Sequence, residues 1–517
     1  MNVTPAYGAV AAGHQATVDA AAAILRAGGN AFDAVIAAHW CACVAEPVLT
    51  SLGGGGFLMA RPAGDEPRVY DFFAHTPRRR RPPEEVDFHA IEADFGTTRQ
   101  EFHIGYGAVA TPGTVRGLFR IHRELATLPM PTLLQPAIEL ADAGLEINAL
   151  QAYIFDVIKP IYLATPEAAS IFGSRVGAGR LVGEGERLRQ PQLARTLEAL
   201  GREGDRLFYE GDIARAIVAA CREQGGHLQA DDLSGYRVER RRPLAIDYRG
   251  NRLYTNPPPS SGGLLTAFAL KLLETSSNAP VHIDHAAGVA LLAEIMQLTN
   301  EARLERIAAG RLDAGLLDPQ LLDHYRTRLL GRSRARRGTT HISIIDRRGN
   351  LASLTTSNGE GCGHMLADTG IMLNNMLGEQ DLNPHGFHRW QEDRRLTSMM
   401  SPSILEDARG MQVALGSGGS NRIRSAILQV VLRLVDEGLP LAQAVTRPRI
   451  HYENGQLHIE AGFADPLYRQ LQDEFPDNRC WPDRNLFFGG VHAVSRCGER
   501  FDCAGDPRRG GVALEVS

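Results

Sequence analysis

About two-thirds of the way along the chain, Gly338-Thr339-Thr340-His341 leads into Ile342-Ser343-Ile344-Ile345-Asp346-Arg347-Arg348-Gly349-Asn350-Leu351-Ala352-Ser353-Leu354-Thr355. Apolar residues alternate with small polar ones on both sides of Asp346 to Asn350, which carry turn chemistry. The run therefore predicts two short strands around a turn. A polar, basic linker, Arg332-Ser333-Arg334-Ala335-Arg336-Arg337-Gly338, precedes it. A strand that opens on Thr-Thr-His behind such a linker suggests a buried new N-terminus. Cutting the Gly338–Thr339 bond gives Thr339 a free α-amine beside its own hydroxyl. A threonine hydroxyl is a poor nucleophile at its free pKa, and an adjacent amine can act as its base. One cut then converts an inert precursor into an amide-cleaving enzyme.

The length, 517 residues, allows one large core or two to four ordinary domains. With 44% hydrophobic and 22% charged residues the composition is that of a globular enzyme. A formal net charge of −5 gives no overall pull toward nucleic acid or anionic membrane. The basic clusters Arg78–Arg81, Arg240–Arg242 and Arg332–Arg337 lie among Pro, Gly or acidic residues and read as solvated loops. Seven cysteines at irregular spacing match no disulfide or zinc framework and fit reduced thiols in a cytoplasmic protein. Met1-Asn2-Val3-Thr4-Pro5 has neither the charged nor the apolar region of a secretory signal. No stretch reaches the ~18 consecutive apolar residues of a membrane span.

Residues 17–27 predict a capped helix stopped by Gly28-Gly29-Asn30, and a second apolar helix runs from Ala31 to about Ala45. Gly53-Gly54-Gly55-Gly56 enters a strand. No Lys-Ser/Thr follows the last glycine, so this is no P-loop, and the order strand-GxGxxG-helix of a dinucleotide site is missing. The four glycines read as permitting close packing. Residues 190–310 predict mainly helix, interrupted by a strand near 243–254. Beyond residue 338 the composition shifts toward short strands and Gly/Pro turns. His282 with His285 and His385 with His388 are spaced at i, i+3 without a surrounding carboxylate pattern, and no metal or cofactor is expected.

The motifs, taken in chain order, resemble the γ-glutamyltransferase family of N-terminal-nucleophile hydrolases. They are Gly28-Gly29-Asn30-Ala31-Phe32-Asp33-Ala34, Gly53 to Gly56 with Phe57, Thr111-Pro112-Gly113, Pro257-Pro258-Pro259-Ser260-Ser261-Gly262-Gly263 and Thr339-Thr340-His341. Gly370-Ile371-Met372-Leu373-Asn374-Asn375, Ser401-Pro402, Gly416-Ser417-Gly418-Gly419 and Gly505-Asp506-Pro507-Arg508 complete the set. The resemblance implies a four-layer αββα sandwich, made as one precursor that cuts itself into a large subunit, residues 1–338, and a small subunit, residues 339–517. It implies that Thr339 cleaves the chain and is then the nucleophile, that Thr355 orients it, and that the backbone amides of Gly418 and Gly419 form the oxyanion hole. A one-residue slip moves that pair to Gly419 and Ser420. Ser357 falls where the family has a hydroxyl near the nucleophile, and Asn358 where it has an Asn at the substrate's α-amino end. The implied partners are a small-molecule amide and the two subunits themselves, with a homodimer of heterodimers as the possible assembly, and neither nucleic acid nor membrane.

This chain departs from the family in the substrate clamp. Glutamyl-specific members hold the free α-carboxylate with an Arg after an Asp-Phe pair; here Asp71-Phe72 is followed by Phe73. An aromatic ring makes no charge-assisted pair with a carboxylate. Arg78 to Arg81 follow, out of register. Glu379, in Asn374-Asn375-Met376-Leu377-Gly378-Glu379, falls nearest the Asp that binds the α-ammonium, with a plain surface Glu as the other reading. The paired serines become Thr397-Ser398-Met399, or Ser398 and Met399 by strict count from Ser401-Pro402. Phe73 reads as a pocket wall or as a core residue.

Two enzymatic readings result: hydrolysis of a γ-glutamyl or related acyl amide, favoured over transfer, and an acylase of the cephalosporin-acylase kind acting on a non-glutamyl acyl group. A silent binding protein of the same fold is the reading outside enzymology. Weak or absent activity on glutathione is expected.

Overall fold

The hairpin anticipated from the alternation of residues 342–355 lies at the centre of the molecule. A computed structural model describes residues 6–94, 99–276, 279–310, 312–326, 339–453 and 455–517. Gly338, the linker Arg332–Arg337 and Met1–Pro5 lie outside the described residues. In chain order the strands of the two large sheets are β1 (Gly8–Ala12), β2 (Gly55–Arg61), β3 (Arg68–Phe72), β4 (Glu239–Arg241), β5 (Leu244–Tyr248) and β6 (Asn251–Thr255). After residue 338 come β7 (Thr340–Asp346), β8 (Leu351–Ser357), β9 (Ser403–Glu406), β10 (Gln412–Gly418), β11 (Gly490–Cys497), β12 (Arg500–Ala504) and β13 (Val512–Val516). One sheet has the order β13-β1-β7-β8-β2-β3-β4, the other β12-β11-β10-β9-β6-β5. The first therefore interleaves strands from both sides of residue 338.

Strand periodicity divides the core in two. Val10, Ala12, Ile342, Ile344, Ala352 and Leu354 face helices α1 (Gln15–Arg26), α2 (Ala31–Ala45) and α3 (Thr114–Leu125) on the outside of the seven-stranded sheet. Their neighbours Ala9, Ala11, Ile345 and Leu351 face Val413, Leu415, Val491 and Ala493 of the other sheet. Helices α4 (Ser261–Ser276) and α5 (Arg422–Val435) cover the outer face of the six-stranded sheet. The layers thus run helix, sheet, sheet, helix, the αββα sandwich that the motifs implied. Such a stack buries both faces of each sheet, which explains strands that are buried on both sides.

Local chemistry accounts for the element ends nearest the site. Asn30 caps α2: its side chain accepts from the Phe32 and Asp33 amides, and the Asp33 carboxylate accepts from the Asn30 amide at 2.8 Å. This is a reciprocal capping box. Every residue of α2 is buried, so its alanine-rich sequence permits close packing on all sides. The expectation of mainly short strands beyond residue 338 misses α5. Its Arg422, Arg424, Gln429 and Arg433 are all buried, so polar residues interrupt the apolar stripe by which a helix is recognised.

Candidate active site

Thr339 immediately precedes β7 and is 4% exposed. The β7–β8 ladder pairs Thr340 with Thr356 and His341 with Thr355, so Ser357 comes next beside Thr339. Alternation turns Thr339, His341 and Ser343 toward the second sheet, and Thr340 toward the helices. The His341 ring bridges two hydroxyls, with Nδ1 at 2.8 Å from Thr355 Oγ1 and Nε2 at 2.9 Å from Ser343 Oγ. Ser343 donates to the His492 carbonyl at 3.1 Å. Its oxygen therefore accepts from His341 Nε2–H, which leaves Nδ1 to accept from Thr355. Burial, reinforced by His492, pushes His341 well below its ordinary pKa, so the ring is neutral near pH 7. Thr355 is thereby held in one rotamer with its lone pairs free to accept.

The Gly416-Ser417-Gly418-Gly419 motif closes over this end of β7. A Cβ on Gly416 would lie 2.3 Å from the His341 ring, and one on Gly418 would lie 2.0 Å from the Thr339 carbonyl oxygen. Gly419 has φ +120°, a conformation that side chains disfavour. Its carbonyl and that of Ser420 accept from the Arg422 and Ile423 amides as α5 begins. The turn bearing both candidate oxyanion pairs therefore sits at the positive end of a 14-residue helix.

A cleft of ≈ 440 Å³, open mouth included, lies in front of Thr339. Of the sequence-predicted residues, Phe73, Ser357, Glu379, Ser398 and Met399 line it together with Thr339. Asn358 is not among the lining residues; it is buried, and its amide donates to the Met372 carbonyl at 3.4 Å. Thr355 lies behind the cleft on its histidine. Sequence reasoning missed Asp381 and Ser261 as cleft residues, and treated Thr397 and Ser420 only as register alternatives. Asp381 follows Glu379 by two positions, and its carboxylate accepts from Ser420 Oγ at 3.3 Å. The proximity of the two acids was a signal; which of them points inward was not.

Phe73 is a wall with a rigid support, and both of its readings hold. It is 1% exposed and stacks on Phe57 at 5.4 Å between centroids. Asp71 accepts the Phe73 amide at 3.1 Å and is clamped by Arg241 at 2.8 Å and Arg395 at 3.3 Å. Arg241 thus belongs to a sheet edge and a half-buried ion pair, which corrects the solvated-loop reading for that residue. Arg78 and Arg80 pair with Asp393 and Glu392, and none of Arg78–Arg81 lines the cleft. Ser398 and Met399 are held by the Pro-Pro-Pro-Ser-Ser-Gly-Gly turn: the Ser261 amide donates to the Ser398 carbonyl at 2.8 Å, and Gly262 packs on the Met399 carbonyl. Among the described residues the lining includes two carboxylates, Glu379 and Asp381, and no Lys, Arg or His. Glu379 is 6% exposed, so it is no surface residue.

Charged side chains lie behind Thr339. Arg509 Nη1 donates to the Thr339 carbonyl at 3.3 Å. Burial lowers Arg509 to about 10, against the opposing pull of Asp506 and Glu46. Glu46, at the end of α2, accepts the Thr340 hydroxyl at 3.2 Å. Burial raises its carboxyl to about 7, although Thr340 and Arg509 favour the charged form. Asp506 also accepts the Val491 amide at 2.9 Å and pairs with Arg449 and Arg508. Burial alone would raise Asp506, but Arg449 and Arg508 outweigh it and hold the carboxyl below its usual range. This pins β11 beside Gly418, its ladder partner being Gly490. Neither Glu46 nor Arg509 was singled out from the sequence. The four glycines Gly53–Gly56 pack as expected: Gly54 and Gly56 press on the carbonyls of Ser357 and Thr355. Among the described residues no cluster of three or more His, Cys, Asp and Glu is placed to hold a metal, and no helix is long and apolar enough to cross a membrane.

Comparison with known proteins bears on this geometry. The family described as Gamma-glutamyltranspeptidase matches residues 17–516. The chain belongs to the γ-glutamyltranspeptidase family. Like its relatives, it is an enzyme of that family. It is 30% identical to the "Glutathione hydrolase proenzyme" of Pseudomonas aeruginosa, over 98% of this chain and 94% of that one. It is 29% identical to the "Acylase ACY 1 proenzyme" of Pseudomonas sp. strain V22, over 90% of this chain and 86% of that one. The fold matches the crystal structure of cephalosporin acylase from Bacillus halodurans with a TM-score of 0.85, at 23% identity, over 99% of this chain and 96% of that one.

Proposed function

We propose that this γ-glutamyltranspeptidase-family enzyme is a self-cleaving N-terminal-threonine amidohydrolase, and that its clamp selects an acyl group without a free α-carboxylate. The observation that carries this is the cleft lining: two carboxylates, the aromatic wall of Phe73 and the thioether of Met399, with no cation among the described residues.

In the maturation step Thr339 Oγ attacks the Gly338 carbonyl, the peptide becomes an ester, and water releases residues 1–338 from residues 339–517. The freed α-amine then takes the proton of Thr339 Oγ as the hydroxyl attacks the substrate amide. Negative charge develops on the substrate oxygen beneath the Gly418–Gly419 amides and the start of α5. Each such donor is worth ~10²–10³ in rate. The α-ammonium passes its proton to the leaving amine, and water cleaves the acyl-enzyme. Thr355, oriented by neutral His341, accepts a hydrogen bond in this cycle and so holds the amine in line.

At the far end of the cleft Glu379 and Asp381 favour an ammonium or hydroxyl on the acyl group. A γ-glutamyl group carries an ammonium and a carboxylate on one carbon. Two acids in a narrow cleft oppose that carboxylate, because like charges a few ångströms apart in low dielectric repel strongly. The γ-glutamyl reading therefore comes with weak binding, and the acylase reading is favoured by the same lining.

Expression of the full chain with intact-mass measurement tests the first half. Fragments ending at Gly338 and beginning at Thr339, with Thr339→Ala uncut, are expected; a single uncut wild-type chain overturns the mechanism. A scan of acyl groups on one constant amine tests the second half. Preference for the complete γ-glutamyl group over its analogue lacking the α-carboxylate would overturn the clamp reading.

A further inference from the structure

A larger cavity lies against the same catalytic turn. It measures ≈ 1270 Å³ with its open mouth included, about three times the cleft, and its walls are mostly apolar. Phe155, Ile154 and Leu150 form one side, Trp481 and Phe487 the other. Trp481 and Phe487 stack at 4.5 Å and 22°, so that wall is a rigid aromatic plate.

The cavity reaches the reacting centre. Gly419 lines it, one residue from the Gly418 that abuts the Thr339 carbonyl. Gly359 also lines it, and a Cβ there would lie 2.5 Å from Glu379 Oε1, which belongs to the cleft. At these two positions the partition between cavity and cleft is backbone without side chains. The inner end holds Glu46 and Arg509. Glu46 Oε2 and Arg509 Nε are buried and have no hydrogen-bond partner among the described residues. Both side chains belong to the cavity wall, so this end can meet a polar group while the rest of the lining meets an apolar body.

An amide has two sides. With its acyl side in the cleft and its carbonyl beneath Gly418–Gly419, its amine side projects over Gly419. We infer that this cavity is the amine-side subsite, and that it takes an amine with an aromatic or branched body and a polar group next to the reacting nitrogen, such as an aromatic 2-amino acid. This rests on the proposed Thr339 mechanism. The bond broken is the acyl C–N bond, and the leaving nitrogen gains the proton carried by the Thr339 α-ammonium. Glu46 and Arg509 meet the polar group, and the aromatic plate covers the body.

The test uses the mature enzyme. Trp481 is a wall of the cavity, so 2-naphthylamine titrated against tryptophan fluorescence reads occupancy without turnover. Leu150→Phe with Ile154→Phe fills the cavity from its rim. Expected is saturable quenching that weakens about 10-fold in the filled variant, the scale of a lost hydrophobic subsite contact. A second arm compares amides of whichever acyl group is turned over fastest, with glycine or phenylalanine as the leaving amine. Wild type should favour phenylalanine about 10-fold through KM, and the filled variant should lose that preference. Absence of saturable quenching, equal quenching in both proteins, or an amine preference that filling leaves unchanged would overturn the inference. An enzyme that cleaves itself and binds 2-naphthylamine yet turns over no γ-glutamyl amide counts against the γ-glutamyl acyl reading, not against the cavity.

Discussion

The cleft and the larger cavity flank one catalytic turn and are built on opposite principles. The cleft is narrow, hydroxyl-rich and acidic, and the hydroxyls of Thr397, Ser398 and Ser261 are anchored by hydrogen bonds to backbone groups. The cavity is wide and mostly apolar, with Glu46, Glu360, Arg422 and Arg509 as its charged lining residues. The difference teaches that selection of the acyl group rests on a few polar contacts and is sensitive to single substitutions. Selection of the amine rests on area and tolerates more. In the proposed mechanism catalytic power belongs to neither space but to the backbone between them.

The largest effects should come from that shared backbone. Thr339→Ala removes nucleophile and cleavage together, so intact mass should show one chain, and turnover should fall by about 10⁴-fold or more. Gly418→Ala should cost about 10²–10³-fold in kcat, because its methyl cannot coexist with the Thr339 carbonyl 2.0 Å away. Near-normal processing and turnover in that variant would show that the turn is not where the oxyanion forms.

Changes confined to the cleft come next. Phe73→Arg with Met399→Ser places a cation and a hydroxyl where a free α-carboxylate would sit. KM for glutathione should fall about 10- to 100-fold, the worth of one charge-assisted pair. No change would mean that Glu379 and Asp381, not the missing cation, control the acyl group.

The smallest effect concerns Glu46. Its folded-state carboxyl is raised to about 7 from 4.5, mainly by burial. The folded protein therefore holds this proton where the unfolded chain has released it. The resulting stability is fully present below pH 4.5 and is lost as pH rises toward 7. Glu46→Gln should flatten that part of the stability–pH profile, a change of about 1–3 kcal/mol read as a shift in the denaturant midpoint. An identical slope in both proteins would mean that Arg509 keeps Glu46 ionised throughout.

Much was legible in the sequence where the signal is local. The hairpin from Thr340 to Ser357 follows from alternation with turn residues between, and α1 and α2 from a capping residue and a glycine stop. The gathering of Phe73, Ser357, Glu379, Ser398 and Met399 around Thr339 was legible only as an ordered set of motifs, each too short to say which way its side chain points. Arg241 looked like part of a solvated run because its partner, Asp71, is 170 residues away. Asp381 and α5 were missed for related reasons: inward direction depends on the loop that carries an acid, and buried arginines hide a helix from its apolar period.

By itself the sequence pointed to the chemistry proposed for Thr339. A nucleophile that must become an N-terminus needs a cleavable linker before it and a buried strand after it, and both are local properties of the chain. Only the tertiary structure decided what that nucleophile can reach. The cleft, the cavity and the charges of Glu46 and Arg509 are assembled from segments hundreds of residues apart, and a cavity is the space that packing leaves between such segments, which no local pattern of residues encodes.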